Sequence, residues 1–299
     1  MKAMILAAGF GTRLRPLTDK KPKALMPVVN KPLIVWNIEY LKTHGVTQIV
    51  VNAHHHAQQV LAYLDGGRPF GLPIDIRVEP EILGTGGGIK NTSDFWDNES
   101  FFVINTDILT DINLTAAYEE HKKSGALATL VIHDREPFNQ IQIDSSRRLT
   151  DIGQKNIAGR FAFTGLHIME PEFLSFIPEG VFSDVIDSYR KLFRSERSVR
   201  AYFSEGHYWR DVGSVESYID ANKELANGRI SIGADCRVDP SARIREWAVV
   251  GEHSSIEGKV EIRRSVLWEG VTVKEGKKVV DSIVTSFNEV DRDLSGQVF

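Results

Sequence analysis

What this sequence lacks narrows it first. One cysteine, Cys236, stands among 299 residues, so no internal disulfide can form, and a reducing compartment suits such a chain. No uncharged apolar stretch is long enough to span a bilayer. The run after Lys2 covers only Met4–Ala8, and Arg13 and Arg15 then arrive where a leader's cleavage site needs small residues. The expectation is a cytoplasmic protein with no membrane partner. Charge of one sign is missing too. The 36 Lys and Arg against 40 Asp and Glu leave a net charge of −4, so no overall basic field draws in nucleic acid. The five tryptophans are scattered and read as packing residues rather than a platform for stacked bases. Histidines cluster once, at His54–His56. Adjacent side chains leaving a strand diverge, and no carboxylate or cysteine stands at ligand spacing, so this reads as a polar loop rather than a metal site.

What is present is enough for a full core, with 42% hydrophobic residues. Strand and helix patterns alternate. Met4–Ala8, Gln48–Asn52, Ile74–Val78, Phe101–Asn105 and Ala126–His133 read as strands, and Leu33–Gly45, Ala57–Leu64 and Leu114–Ser124 as helices. Alternation of this kind predicts an α/β, Rossmann-like, mostly parallel sheet, with ligands beyond the carboxyl ends of its strands. After about Gly228 the pattern changes. Ile232, Val238, Ile244, Val250, Ile256 and Ile262 recur every six residues, each followed four residues later by a small or β-branched residue. That period predicts a short left-handed β-helix of hexapeptide repeats, its phase slipping near Trp268. The expected organisation is a catalytic domain over 1–228, a β-helix over 229–288 and a tail over 289–299. The coil ends and the apolar corners Trp247 and Trp268 are expected either to meet a second subunit in a homo-oligomer or to pack on the first domain.

The opening stretch MILAAGFGTRLRPLTDKKPKAL holds the densest local charge. Within it GFGTRL begins G-x-G, but Leu14 stands where a dinucleotide turn has its third glycine, and Pro16 obstructs a helix there. A phosphate grip fits better. Gly9 and Gly11 allow close backbone approach, Arg13 brings a planar fork, and Lys23 a compact charge on a flexible stem.

The whole string LAAGFGTRLRPLT followed by PKAL resembles the signature of the sugar-1-phosphate nucleotidyltransferases, the NDP-sugar pyrophosphorylases. Further stretches resemble the same family in its order: ILGTGGGI at Ile82–Ile89 as a second glycine-rich loop around the nucleoside, VINTDIL at Val103–Leu109, FTGLHIM at Phe163–Met169 and WRDVGS at Trp209–Ser214. Gln154–Lys155 stands where the family usually has Glu-Lys. The resemblance implies that Leu6, Ala7, Ala8, Gly9, Gly11, Thr12, Arg13, Glu79, Gly86 and Gly87 bind the nucleotide. It implies Asn105, Lys155, Thr164 and Gly165 for the sugar phosphate, and Asp107 and Asp211 as ligands of Mg²⁺. Arg13, Lys23, Asp107 and Asp211 would then be the catalytic set. The implied reaction joins an NTP and a sugar 1-phosphate to give NDP-sugar and pyrophosphate.

The base is less well marked. Glu79 and Glu81 flank the second glycine loop, and a carboxylate suits the paired donors of guanine. This leans toward GTP with mannose 1-phosphate, and UTP with N-acetylmuramate 1-phosphate or another hexose 1-phosphate is the alternative. Two rival readings have less behind them. Hexapeptide coils also build acyltransferases, but His253 is the one histidine in the repeats; a non-catalytic nucleotide-sugar sensor would have lost the charged residues that are present here.

Overall fold

The continuous apolar runs of the amino-terminal half form the middle of one sheet. The computed structural model describes residues 1–153, 158–193 and 199–299. These fall into two compact units. One comprises Met1–Phe10, Pro22–Ala24 and Ile34–Asp211, the other Gly11–Lys21, Leu25–Leu33 and Val212–Phe299.

In the first unit the strands are β1 (Lys2–Leu6), β2 (Gln48–Ala53), β3 (Ile74–Val78), β4 (Phe101–Asn105), β5 (Ile108–Thr110), β6 (Ala128–His133), β7 (Asn139–Ile143), β8 (Leu149–Ile152), β9 (Phe161–Met169), β10 (Val199–Phe203) and β11 (Trp209–Asp211). Nine of these form a mixed sheet in the order β8-β7-β9-β4-β1-β2-β3, with β6 beside β9 and β10 beside β6. The β4-β1-β2-β3 run is parallel, as the alternation predicts. β9 runs antiparallel to β4, β6 and β7, a direction that an apolar strand pattern does not encode. β1 carries Ala3, Met4 and Ile5 at 0% exposure, and burial of the Met4 and Ile5 side chains contributes roughly 1.5–3 kcal/mol each. Helices α1 (Leu33–Thr43), α2 (Ala57–Leu64), α3 (Gly84–Lys90), α4 (Leu114–Ser124) and α5 (Val185–Leu192) accompany the strands in sequence. Among the described residues no helix is long and apolar enough to cross a membrane.

In the second unit, α6 (Val215–Ala226) starts at a capping box in which the Ser214 and Ser217 side chains each take the other's backbone amide. Short parallel strands then stack in rungs. Val238 faces Ile256 three six-residue steps later, and Ile244 likewise faces Ile262. Ile256 faces Val273, one residue short of that spacing, so the slip falls where the repeat loses phase. The slip also hides the continuation. Residues 289–299, set apart above as a tail, instead extend the stack: Glu289–Val290 pairs with Thr272–Val273, and Leu294–Ser295 with Lys278–Val280. Trp247 and Trp268 are buried rather than exposed corners, and Trp268 Nε1 donates to the Tyr218 hydroxyl of α6 at 2.8 Å.

Candidate active site

The order of the first sheet locates the site. From β1 the chain moves outward through β2 to β3, then crosses to place β4 on the other flank of β1. The strand order reverses between β1 and β4, and in sheets of this kind the ligand crevice lies at such a switch point, beyond the carboxyl ends of the strands. Leu6 and Asn105 are register partners at that point, and the Thr106 amide donates to Leu6 O at 3.1 Å. Ala7–Gly9 therefore leaves one side of the crevice and Asp107 the other.

Asp211 is brought to the same place from more than a hundred residues away. β11 pairs antiparallel with β5, setting Asp211 opposite Ile108, the neighbour of Asp107. Thr110 Oγ1 and the Tyr208 carbonyl lock the far end of this ribbon at 2.7 Å, and Asp111 Oδ1 accepts from the Tyr208 amide at 2.8 Å. Lys23 Nζ donates to Asp107 Oδ2, with the two side chains only 11% and 19% exposed. Two carboxylates on paired segments offer hard oxygen donors, the type a divalent cation such as Mg²⁺ takes, while among the described residues no group of three or more His, Cys, Asp or Glu gathers around one point.

The second glycine segment differs from expectation. It is not a loop but the helix α3, with Gly86, Gly87 and Gly88 buried. The amides of Gly86 and Gly87 both donate to Ser183 O, at 2.9 and 3.3 Å, and so are turned toward that carbonyl rather than toward an open base edge. Glu79 is 2% exposed, and its carboxylate is already engaged. Oε1 accepts from Asn52 Nδ2 at 2.7 Å, and Oε2 from the Leu83 amide at 2.9 Å. Asn52 Oδ1 in turn accepts from the Ala7 amide at 2.8 Å. This buried relay ties the ends of β1, β2 and β3 to the entry of α3. Glu79 thus positions the glycine segments, and the argument for guanine from its free carboxylate falls. Asn52 was missed in the sequence. Its signal was present as a polar residue ending the run QIVV, as Asn105 ends FFVI. His54 Nδ1 meets Glu79 O at 2.8 Å, and its ring stands edge-on to Phe10 at 5.2 Å.

On the other flank of β4, β9 bulges between Phe163 and His167. Gly165 sits in that bulge at φ +80°, and a side chain there would come within 2.9 Å of Asn105 Nδ2. Thr164 is fully buried with its hydroxyl donating to Val131 O at 2.8 Å, so of the expected sugar-side residues Asn105 and Gly165 adjoin each other while the Thr164 hydroxyl is committed inward. Lys155 lies outside the described residues. Gly11, Thr12 and Arg13 belong to the second unit. There Gly11, at φ +63°, opens a short 3-10 turn over Thr12–Leu14 that buries Leu14 and leaves Arg13 exposed. Thr18 Oγ1 donates to Gly11 O at 2.9 Å and closes the turn.

Comparison with known proteins identifies the family and the fold. Residues 2–228 match the family described as Nucleotidyl transferase. The chain is 36% identical to N-acetylmuramate alpha-1-phosphate uridylyltransferase of Neisseria meningitidis, over 72% of this chain and 94% of that one. It is 30% identical to mannose-1-phosphate guanyltransferase of Debaryomyces hansenii, over 95% of this chain and 86% of that one. The fold is similar to HddC from Yersinia pseudotuberculosis, with a TM-score of 0.63 at 25% identity, over 75% of this chain and 99% of that one.

Proposed function

This chain belongs to the nucleotidyl transferase family and is a sugar-1-phosphate nucleotidyltransferase, and from that premise we propose that it joins GTP and mannose 1-phosphate in a Mg²⁺-dependent reaction. A phosphate oxygen of the sugar 1-phosphate attacks the α-phosphorus of the nucleotide, the bond to the β-phosphate breaks, and pyrophosphate leaves. The attacking oxygen is already ionised at neutral pH, so no general base is required. The obstacle is repulsion between anions. Two unit charges at about 4 Å repel by about 4 kcal/mol at an effective dielectric near 20. Catalysis then consists mainly of neutralising charge and holding the partners in line.

Asp107 and Asp211 would hold the ion, which when bound supplies positive charge against the phosphates of both substrates. Lys23 has three donors, and one engages Asp107, so the others can meet charge growing on the α-phosphate. Arg13 offers its fork to the departing pyrophosphate, and Lys155 anchors the sugar's phosphate. The Asn52–Glu79 relay sets the backbone around the base. The observation that carries this reading is the β5–β11 ribbon, which pairs the two aspartate-bearing segments beside Lys23.

The base rests on a different footing. The Debaryomyces guanyltransferase resembles this chain over 95% of its length, repeats included. The higher identity to the Neisseria uridylyltransferase favours a second reading, UTP with N-acetylmuramate 1-phosphate or another hexose 1-phosphate. The test is pyrophosphate release from each NTP against a panel of sugar 1-phosphates with Mg²⁺. GTP with mannose 1-phosphate is expected to give the highest kcat/KM by at least about tenfold, roughly 1.4 kcal/mol in transition-state binding. A preference for UTP would replace the base assignment, and release from no pair would overturn the reaction.

A further inference from the structure

The turn that carries Arg13 is loose at its start and held at its end. A side chain on Gly9 would meet nothing within 4 Å, and Phe10 is 41% exposed. From Gly11 onward the backbone closes on itself. The Leu14 amide donates to Gly11 O and the Leu17 amide to Leu14 O, both at 2.9 Å, and the Asp19 amide to Pro16 O at 3.1 Å. Gly11–Asp19 is therefore one linked piece, and a hold on its far end also aims Arg13. That hold comes at Lys21, whose ammonium donates to Glu269 Oε1 at 2.5 Å and lies 5.2 Å from the centre of the Trp268 ring. Lys21, Trp268 and Glu269 all belong to the second compact unit.

Glu269 stands on a fixed corner. It comes just after the strand Glu261–Leu267, its carbonyl accepts the Phe287 amide at 3.0 Å, and Ser286 Oγ donates to its Oε1 at 2.7 Å. Burial works against its charge, yet the bonds from Lys21 and Ser286 hold its carboxyl below the ordinary carboxylate range. Trp268 is tied to the Tyr218 hydroxyl, which in turn donates to Pro27 O at 2.5 Å, and the Val29 amide donates to Asn222 Oδ1 at 2.9 Å. The chain is thus anchored in the second unit on both sides of Lys23. Exposed ion pairs contribute little, but the Lys21 and Glu269 side chains are only 21% and 25% exposed, so losing one charge leaves the other poorly solvated.

We propose that Glu269 is a positioning residue for nucleotidyl transfer: it clamps Lys21, and the clamp sets the turn from which Arg13 meets the departing pyrophosphate and the stretch from which Lys23 meets the α-phosphate. This rests on the reaction proposed above. A misplacement of about 1 Å in a reacting contact can cost roughly a hundredfold in rate. A loop keeps such geometry less precisely than a strand does unless a supporting group fixes it. Lys21 acts here through its bond to Glu269, not as a further phosphate ligand.

Steady-state pyrophosphate release with both substrates varied tests this. Glu269→Lys sets two ammonium groups against each other and should lower kcat at least about tenfold. KM for the sugar 1-phosphate, which no residue of this segment is assigned to hold, should stay within about twofold. Lys21→Met loses the clamp without adding repulsion and should cost about threefold in kcat. Adding Lys21→Met to Glu269→Lys removes the repulsion and should return kcat to the level of Lys21→Met alone, which a misfolded variant does not do. Hydrogen exchange at the Leu14 and Leu17 amides should quicken in Glu269→Lys and slow again in the double variant. Unchanged kcat in Glu269→Lys, unchanged exchange, or a double variant no faster than Glu269→Lys would each overturn the clamp. A loss in Lys21→Met as large as that in Glu269→Lys would overturn it too, by making Lys21 a phosphate ligand. An unaltered chain that releases no pyrophosphate from any pair would overturn the reaction instead, and the exchange of Leu14 and Leu17 would still decide whether Glu269 holds the turn.

Discussion

Two segments of the chain carry closely spaced glycines and use them in opposite ways. Around Gly9 and Gly11 the glycines serve a turn. Gly11 takes a left-handed φ of +63° to start the turn that carries Arg13, and a side chain on Gly9 would meet nothing within 4 Å. In α3 the glycines serve proximity. A side chain on Gly88 would come within 2.6 Å of Asn52 Nδ2 and 2.9 Å of Glu79 Oε1, and one on Gly86 within 2.8 Å of Ser183 Oγ. Glycine costs a helix roughly 1 kcal/mol per residue relative to alanine, so α3 exists because its surroundings hold it, not because its residues favour it. A glycine-rich run in a sequence therefore reports crowding as readily as freedom.

That contrast can be broken or sharpened by substitution. The largest effect belongs to the charges that the turn and the crevice present. Asp107→Asn and Arg13→Ala should each lower kcat at least about a hundredfold, the scale of one lost transition-state electrostatic contact. Steady-state kinetics with melting curves alongside would show the loss in turnover rather than in folding, and turnover kept within a few-fold in both would refute the roles. Next comes Gly88→Ala, which forces a methyl group onto the relay and should cost about 3 kcal/mol of stability, read as a lower urea midpoint. An unshifted midpoint would mean that α3 tolerates a side chain and that its glycines are not there for packing. Glu79→Gln keeps the shape but turns an NH₂ toward either Asn52 Nδ2 or the Leu83 amide, for an expected loss of about 1–2 kcal/mol with base preference unchanged. If instead base preference switched at constant stability, Glu79 would be reading the base directly. The smallest effect is expected at Gly9→Ala, whose stability should stay within about 0.5 kcal/mol of the original.

Much of this fold can be read along the chain because its signals are local. Ile74–Val78 and Ala57–Leu64 occur where the periodicity sets them, and the six-residue repeat appears directly as rungs such as Val238 against Ile256. The unreadable parts depend on partners distant in sequence. No pattern within Phe161–Met169 says that it runs antiparallel to β4, because a buried strand needs the same residues in either direction. Gly84–Gly88 has a loop's composition, and only Asn52, Glu79 and Ser183 explain why it is a helix. At the site, Asp107 and Asp211 were recognisable as strand-end aspartates in motifs, but their adjacency is a matter of the β5–β11 register. Glu79 was legible as a residue near the nucleotide segments, not as one whose carboxylate is consumed by Asn52 and Leu83.

The ribbon that couples Ile108–Thr110 with Trp209–Asp211 also fixes when the site comes into being. As a ribosome extends the chain, β1, β4 and Asp107 are all made while the segment bearing the second carboxylate is still unsynthesised. A fragment ending before Trp209 would carry Asp107 but only half of the acidic pair. On the role proposed for that pair, a product truncated before Trp209 releases no pyrophosphate.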